Sequence, residues 1–447
     1  MTRARTTTTD VVVVGAGAAG LAAARTLREA GLRAVILEAR GRIGGRIYTR
    51  HDAASPLPIE LGAEFLHGAA EEVREIVDEA NLTTIDIEGD RWRAAGGRLW
   101  KLDDFWSRLD GVLGKADARR TPDRSLAEFL AERPGGERAA ENRRLAAEFI
   151  EGFHAAELDR ISERAVAQGG NPGEDPEEQR IARLLEGYGA VVDWLAKPLG
   201  HFIRLGRVVS EIAWSPGRVS VTAQLANGSV EVTRASALIV TLPVSLLHAG
   251  ARGRGSIAIS PEVPSVRAAA GCAAMGHVHR IVVLLDRPIV EIIPQRRQKK
   301  MARLAFLQAR GVAVPVWWTS YPMRSPAAVG WAGGPAALAL DAHPEGIRDA
   351  AISSLAKSFA ADRRTVARHL VRIHTHDWSR DPFSRGAYSY PQVGGDDVGK
   401  RLSRPVKGTL FFAGEAADQE GRNGTVHGAI GSGKHAAKQA IRALRRA

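Results

Sequence analysis

One cysteine, Cys272, stands in 447 residues, so no intrachain disulfide can form and a reducing compartment is expected. No apolar run approaches the roughly twenty residues that a membrane-crossing helix needs. The N-terminal MTRARTTTT leads straight into a β-branched run, with no apolar signal segment before it. Membrane insertion and secretion are therefore not expected, and the expected location is the cytoplasm. Internal repeats and low-complexity tracts are missing as well. Positive charge is in excess, at a formal +12, yet only PQRRQKKMAR (Pro294 to Arg303) concentrates it, without interleaved aromatics. A nucleic-acid partner is not expected from charge alone. Apolar residues at 45% and charged residues at 25% are an ordinary globular mixture, and the length suits two domains.

Against these absences stands DVVVVGAGAAGLAAARTL, Asp10 to Leu27. The valine run predicts a strand over residues 10–14 that is buried on both faces. Gly15, Gly17 and Gly20 follow with the spacing G-x-G-x-x-G, then a helix from about Leu21 to Ala30 that stops at Gly31. A second strand, RAVILEA, carries Glu38 at its end. Strand, glycine turn, helix, strand and acid in this register predict a dinucleotide-binding unit. Gly15 permits the turn, Gly17 lets backbone N–H groups approach a pyrophosphate, and Gly20 lets helix and strand pack closely. The helix N-terminus directs partial positive charge at the phosphates. Glu38 suits ribose hydroxyls and repels a 2′-phosphate.

Residues from about 70 to 200 read as mainly helical, as in AEEVREIVDEANL, whose apolar positions lie three and four apart. Ser125 is a predicted N-cap and NPGEDPEE a predicted loop. From Phe202 to Pro243 the pattern turns to strands, with Ser-Pro-Gly and Asn-Gly as turn signals. Further strands are expected in HRIVVLLD and GTLFFAGE, and a last helix from about Thr425. The expected class is α/β: a discontinuous Rossmann-type domain (1–70, 199–255 and 397–447) and an α+β substrate domain of helices on a mixed sheet (71–198 and 256–396). Metal binding by His277 and His279 or by His374 and His376 is not expected, because no carboxylate or cysteine partner is suggested.

Just past Glu38 the chain reads EARGRIGGRIYT, a second glycine pair (Gly44, Gly45) flanked by Arg40, Arg42 and Arg46. This stretch resembles the grip of FAD-dependent amine oxidases. IELGAEFLHG (Ile59 to Gly68), DPFSRGAYSY (Asp381 to Tyr390) and FFAGEAADQEGRNGTVHGAIGSG (Phe411 to Gly433) resemble segments of polyamine oxidases and lysine-specific histone demethylases, as do ALIVTLP and FIEGFHAAELDRIS. The resemblance implies that Gly15, Gly17, Gly20, Glu38, Arg40, Gly45 and Arg46 hold adenosine and pyrophosphate, and that Val209 meets the adenine through its backbone. It implies that Gly414 and Glu415 bind the ribityl-phosphate region and that Val426 presents its N–H to the flavin's pyrimidine edge.

Tyr388 falls on one of two aromatic positions that flank the flavin in monoamine oxidases; Thr425 takes the other, as in the polyamine and demethylase branch. Trp378 and Phe383 are expected on the same wall. Glu64 is expected to hold a distal ammonium, His67 to position the amine, and His427 to pack or cap near the helix start. Where monoamine oxidases attach flavin through a cysteine this chain has Ala387, so the FAD is expected to be non-covalent. In GHVHRIVVLLDRP, Arg280 replaces a family lysine that assists reaction with oxygen. A guanidinium stays protonated and is bulkier and planar, which points to slower oxygen use or to a substrate with an anionic group. The implied function is oxidation of a primary or secondary amine to an imine, with peroxide formed from oxygen. The alternatives are an FAD dehydrogenase or desaturase with another acceptor and, from the basic charge, a nucleic-acid-associated protein. Amino-acid oxidases clamp a carboxylate with arginine, and GAEFLHG offers none.

Overall fold

The computed structural model describes residues 5–169, 179–248, 250 and 252–446. The loop expected over 171–178 lies outside the described residues. A five-stranded parallel sheet is built from three distant stretches of chain, in the order Ile203–Arg204, Ala34–Leu37, Val11–Val14, Ala237–Val240 and Leu410–Phe412. Its four longer strands are apolar at every position because both faces are covered. Val11, Val13, Ile36, Ile239 and Phe411 pack under the helices Ala18–Glu29 and Val426–Leu444. Val12, Val14, Leu37, Leu238 and Phe412 face a second sheet instead. Each fully buried aliphatic side chain contributes about 2 kcal/mol.

The first helix begins at Ala18, three residues before the expected Leu21, with Gly17 as its N-cap. Gly20 therefore sits inside the helix. A Cβ there would stand 1.9 Å from the Gly15 carbonyl oxygen, so only glycine lets the helix lie this close to its own turn. The end is as expected, with Gly31 at φ +81° just beyond the last turn.

The covering sheet runs Arg5–Thr8, Val230–Ala235, Arg218–Gln224, Val208–Ser215, Ala258–Ser260. Ser215-Pro216-Gly217 and Asn227-Gly228 make its two hairpin connections. Helices Glu71–Ala80 and Gly189–Ala196 share the core under the parallel sheet. Helices Glu71–Ala80 and Gly189–Ala196 and strand Ala258–Ser260 lie outside residues 1–70 and 199–255 in sequence.

The other half rests on a seven-stranded mixed sheet, ordered Leu370–Thr375, Val278–Leu285, Ala327–Gly333, Val316–Trp318, Leu304–Ala309, Asp90–Ala95, Arg98–Lys101. Helices including Pro335–Asp341 and Gly346–Ser358 pack on it. Residues 70–200 are mainly helical, as expected, but the helices are interrupted by strands Thr84–Asp86, Asp90–Ala95, Arg98–Lys101 and Ile181–Leu184. Their partners lie far away in sequence: Asp90–Ala95 pairs with Leu304–Ala309. Local periodicity does not register such pairing, although Gly96-Gly97 between two of these strands is a hairpin signal. Ser125 caps its helix through a capping box with Glu128, as its sequence predicts.

The histidine pairs need correction too. Asp341, last residue of its helix, offers one carboxylate oxygen to His277 Nε2 and the other to His279 Nε2, both at 2.7 Å. His374 contacts Asp52 and His376 contacts Asp381. Carboxylate partners are present, brought by tertiary packing.

Gly20→Ala is expected to cost about 3 kcal/mol, because a backbone carbonyl cannot step aside. Gly41→Ala, whose Cβ meets no atom within 4 Å, is expected to change stability by less than about 0.5 kcal/mol. Thermal denaturation of the two variants checks the contrast.

Candidate active site

One cavity of about 1060 Å³ runs from the Gly15–Gly20 turn, past Arg46 and Tyr388, to Phe105 and Trp106. At its first end two glycine turns touch. Gly17 bridges to Gly44, and a Cβ on Gly45 would stand 3.3 Å from the Gly17 Cα. The helix starting at Ala18 has no side-chain cap and no acid in its first turn, so its first N–H groups open onto the cavity. Glu38 accepts from the Ala16 and Arg40 N–H groups, each at 2.8 Å. This fixes the carboxylate at the strand end while leaving lone pairs for hydroxyls. Arg40 is held by Asp381 at 2.6 Å and Ser384 at 2.9 Å. Val209 lines the cavity beside a register shift between Val209 and Glu211. Gly20 does not line it; its part is packing.

Glu415 is buried and sits at the middle of the cavity. It pairs with Arg46 at 2.8 Å and accepts from Ser389 Oγ at 2.6 Å and Gly424 N–H at 2.8 Å. Burial pushes its pKa up, but Arg46 and these hydrogen bonds prevail and hold it below the usual range. Its carboxylate thus aims Arg46 into the cavity. Gly414, at φ +136°, lines the wall, its N–H held by Ser432 Oγ at 2.9 Å. Thr425 caps the terminal helix, accepting from Gly428 N–H at 3.0 Å and donating to the Arg422 carbonyl at 2.6 Å. Its hydroxyl is thereby committed, and Val426 begins the helix with its N–H at the cavity wall. A side-chain-free cradle, an uncapped helix end, two anchored arginines and a second helix end fit a long dinucleotide such as FAD. Cys272 is not among the lining residues, so its thiol cannot bond to a group held there.

The far end is aromatic. Tyr388 stacks with Trp331, centroids 6.4 Å apart and planes at 18°, and its hydroxyl donates to the Phe153 carbonyl at 2.6 Å. Trp378 lines the cavity, its indole donating to the Leu61 carbonyl at 2.8 Å, whereas Phe383, expected on the same wall, packs under Arg40 at 5.3 Å at the Glu38 end instead. Trp318 and Trp331, which sequence reading missed, complete the wall. His67 is set by strand Phe65–His67 and stands edge-on to Phe153 at 5.3 Å. Burial, helped by nearby His427 and Arg91, lowers its pKa to about 4, so it is neutral at ordinary pH. His427 is buried beside the same cavity.

Glu64 does not stand free for an ammonium. Arg280 and Trp318 Nε1 donate to one of its oxygens, and Arg183 lies 3.1 Å from the other. Arg280, 4% exposed, also donates from Nε to the Glu60 carbonyl at 2.6 Å. A buried guanidinium at this place needs a counter-charge, and Glu64 supplies it. Burial works to raise the Glu64 pKa, but the two arginines prevail and lower it.

Glu64→Gln is expected to strand two buried guanidinium groups and to cost about 3 kcal/mol or more. A melting temperature equal to the wild type's would mean that Glu64 is not their counter-charge.

The family profile described as Flavin containing amine oxidoreductase matches residues 18–441. Polyamine oxidase 3 of Oryza sativa subsp. japonica is 28% identical over 474 residues, covering 98% of this chain and 90% of its own. Lysine-specific histone demethylase 1 homolog 3 of Arabidopsis thaliana is 26% identical over 97% of this chain, which spans 30% of that protein. A putrescine oxidase bound to putrescine superposes with a TM-score of 0.80 at 21% identity, over 98% of this chain and 100% of that one. The cyclohexylamine oxidase of Brevibacterium oxydans IH-35A gives 0.79 at 22% identity, over 98% and 100%. The chain belongs to the flavin-containing amine oxidoreductases, FAD-dependent enzymes that act on amine donors.

Proposed function

We propose that this enzyme oxidises a primary or secondary amine to an imine that water hydrolyses, with dioxygen taking up the electrons as hydrogen peroxide. FAD held at the glycine-cradled end would supply the two-electron acceptor for the hydride equivalent leaving the carbon beside nitrogen. The observation that carries this reading is the one continuous cavity, glycine-cradled at one end and aromatic-walled at the other. Such walls exclude water and favour the neutral amine, whose lone pair the reaction needs. In this reading the cofactor domain is drawn from 1–70, 199–255 and 397–447, and the substrate domain from 71–198 and 256–396. Gly15, Gly17, Gly45, Glu38, Arg40, Arg46, Val209, Gly414 and Val426 line the cofactor's course. Gly20 and Glu415 act on it through packing and through Arg46. The N-terminus of helix Val426–Leu444 stabilises negative charge beside it. Tyr388, Trp378 and neutral His67 orient the amine, and Thr425 holds the helix end in place.

A second reading, transfer to an acceptor other than oxygen, is favoured by Arg280. Its charge is already neutralised by Glu64, which leaves less of it to stabilise a developing superoxide.

Amine panels are expected to bleach the flavin anaerobically and to release peroxide in air; bleaching without peroxide selects the second reading. Arg280→Lys is expected to speed stopped-flow reoxidation by oxygen, and equal rates would remove Arg280 as its brake. A rise of kcat/KM with pH above about pH 6 is expected to report the substrate's own proton loss, since His67 is already neutral there. The profile should persist in His67→Gln; its disappearance would assign the titration to His67.

A further inference from the structure

We infer that the substrate carries a carboxylate remote from its reacting nitrogen, and that Arg91 binds it. This rests on the amine-oxidation reading and narrows its substrate class. Six arginines line the cavity: Arg40, Arg46, Arg91, Arg207, Arg280 and Arg422. Five are paired with acids, Arg40 with Asp381, Arg46 with Glu415, Arg207 with Glu231, Arg280 with Glu64, and Arg422 with Asp418. Arg91 has no carboxylate and no side-chain hydrogen-bond acceptor among the described residues. Its guanidinium carbon instead lies 4.9, 5.1 and 4.7 Å from the rings of Phe105, Trp106 and Phe306.

Ring faces attract a cation but do not accept its in-plane N–H bonds. Arg91 lines the cavity without an acceptor among the described residues, and a guanidinium is a fork that a carboxylate can meet with two parallel hydrogen bonds. Burial brings the Arg91 pKa down to about 10, still well above neutrality, so the charge persists. A desolvated cation that lines a cavity without a partner is costly, and an arriving anion relieves that cost. Two acids that line the cavity, Glu64 and Glu148, are already committed. Glu64 serves Arg183 and Arg280, and Glu148 serves Arg93 and Arg310. A second ammonium, as on a diamine, meets Arg91 and finds neither acid free. The aromatic sleeve between Arg91 and Tyr388 suits an apolar linker between the two polar ends of an amino carboxylate.

Calorimetric titration of the FAD-loaded protein with 3-phenylpropanoate, 3-phenylpropan-1-ol and 3-phenylpropylamine tests this. The carboxylate is expected to bind at least about tenfold more tightly than the alcohol. Arg91→Gln is expected to erase the preference while keeping FAD content and melting temperature, and Arg91→Lys to keep part of it. Equal binding of carboxylate and alcohol to the wild type overturns the proposal, as does a preference that survives in Arg91→Gln. The wild-type comparison stands even if a variant does not fold. No turnover is needed, so failure of the amine-oxidation reading, seen as no flavin bleaching by any amine, is read separately.

Discussion

No side chain separates the turn at Gly17 from the turn at Gly44 and Gly45, and the rest of the molecule is arranged around that contact. A Cβ on Gly45 would press on the Gly17 backbone, and any larger group would intrude on the cavity that both turns line. The parallel sheet sets the first turn, and the first helix directs its unsatisfied N–H groups at the gap. Strands from residues far along the chain complete the sheet, and the terminal helix closes the other side of the cavity. The cofactor end is thus built from backbone, with Glu38, Arg40 and Arg46 as its charged fittings.

The substrate end is built on the opposite plan, with side chains doing the work and charges taken out of water. Arg280, Glu64 and Arg183 form a compensated group whose members each lose heavily if one is removed. That group decides how the family position usually held by lysine behaves: the cation there is fixed and shared rather than free. Trp318 packs directly on this group, and Trp331 and Tyr388 continue from it along the cavity wall. Arg91 is the exception to the rule of pairing, and its exposure to the cavity gives the site a polarity that a purely aromatic pocket lacks.

The nucleotide-binding unit was legible in the sequence because its signals are local: a valine run, three spaced glycines, a strand-ending acid. The first helix began early because Gly20 is a helix residue, its small size serving contact with Gly15 rather than ending the turn. Strand Asp90–Ala95 escaped reading because one of its partners, Leu304–Ala309, lies more than two hundred residues away. Motifs singled out Tyr388 and Arg280, and both line the cavity, but the partners of those residues were not legible. Glu64 looked free in the sequence and is saturated in the fold. His277 and His279 looked partnerless, and Asp341 reaches both. Arg91 gave no signal beyond alternation in DRWRAA, since the absence of a partner is visible only in three dimensions.

The central claim is that the cavity holds FAD without a covalent bond to the chain. Acid precipitation of the purified yellow protein, with absorbance and mass spectra of supernatant and pellet, tests it most directly. Equimolar FAD is expected in the supernatant. Flavin retained in the pellet contradicts the non-covalent grip, and a colourless protein that takes up no FAD on reconstitution contradicts the cavity's assignment altogether.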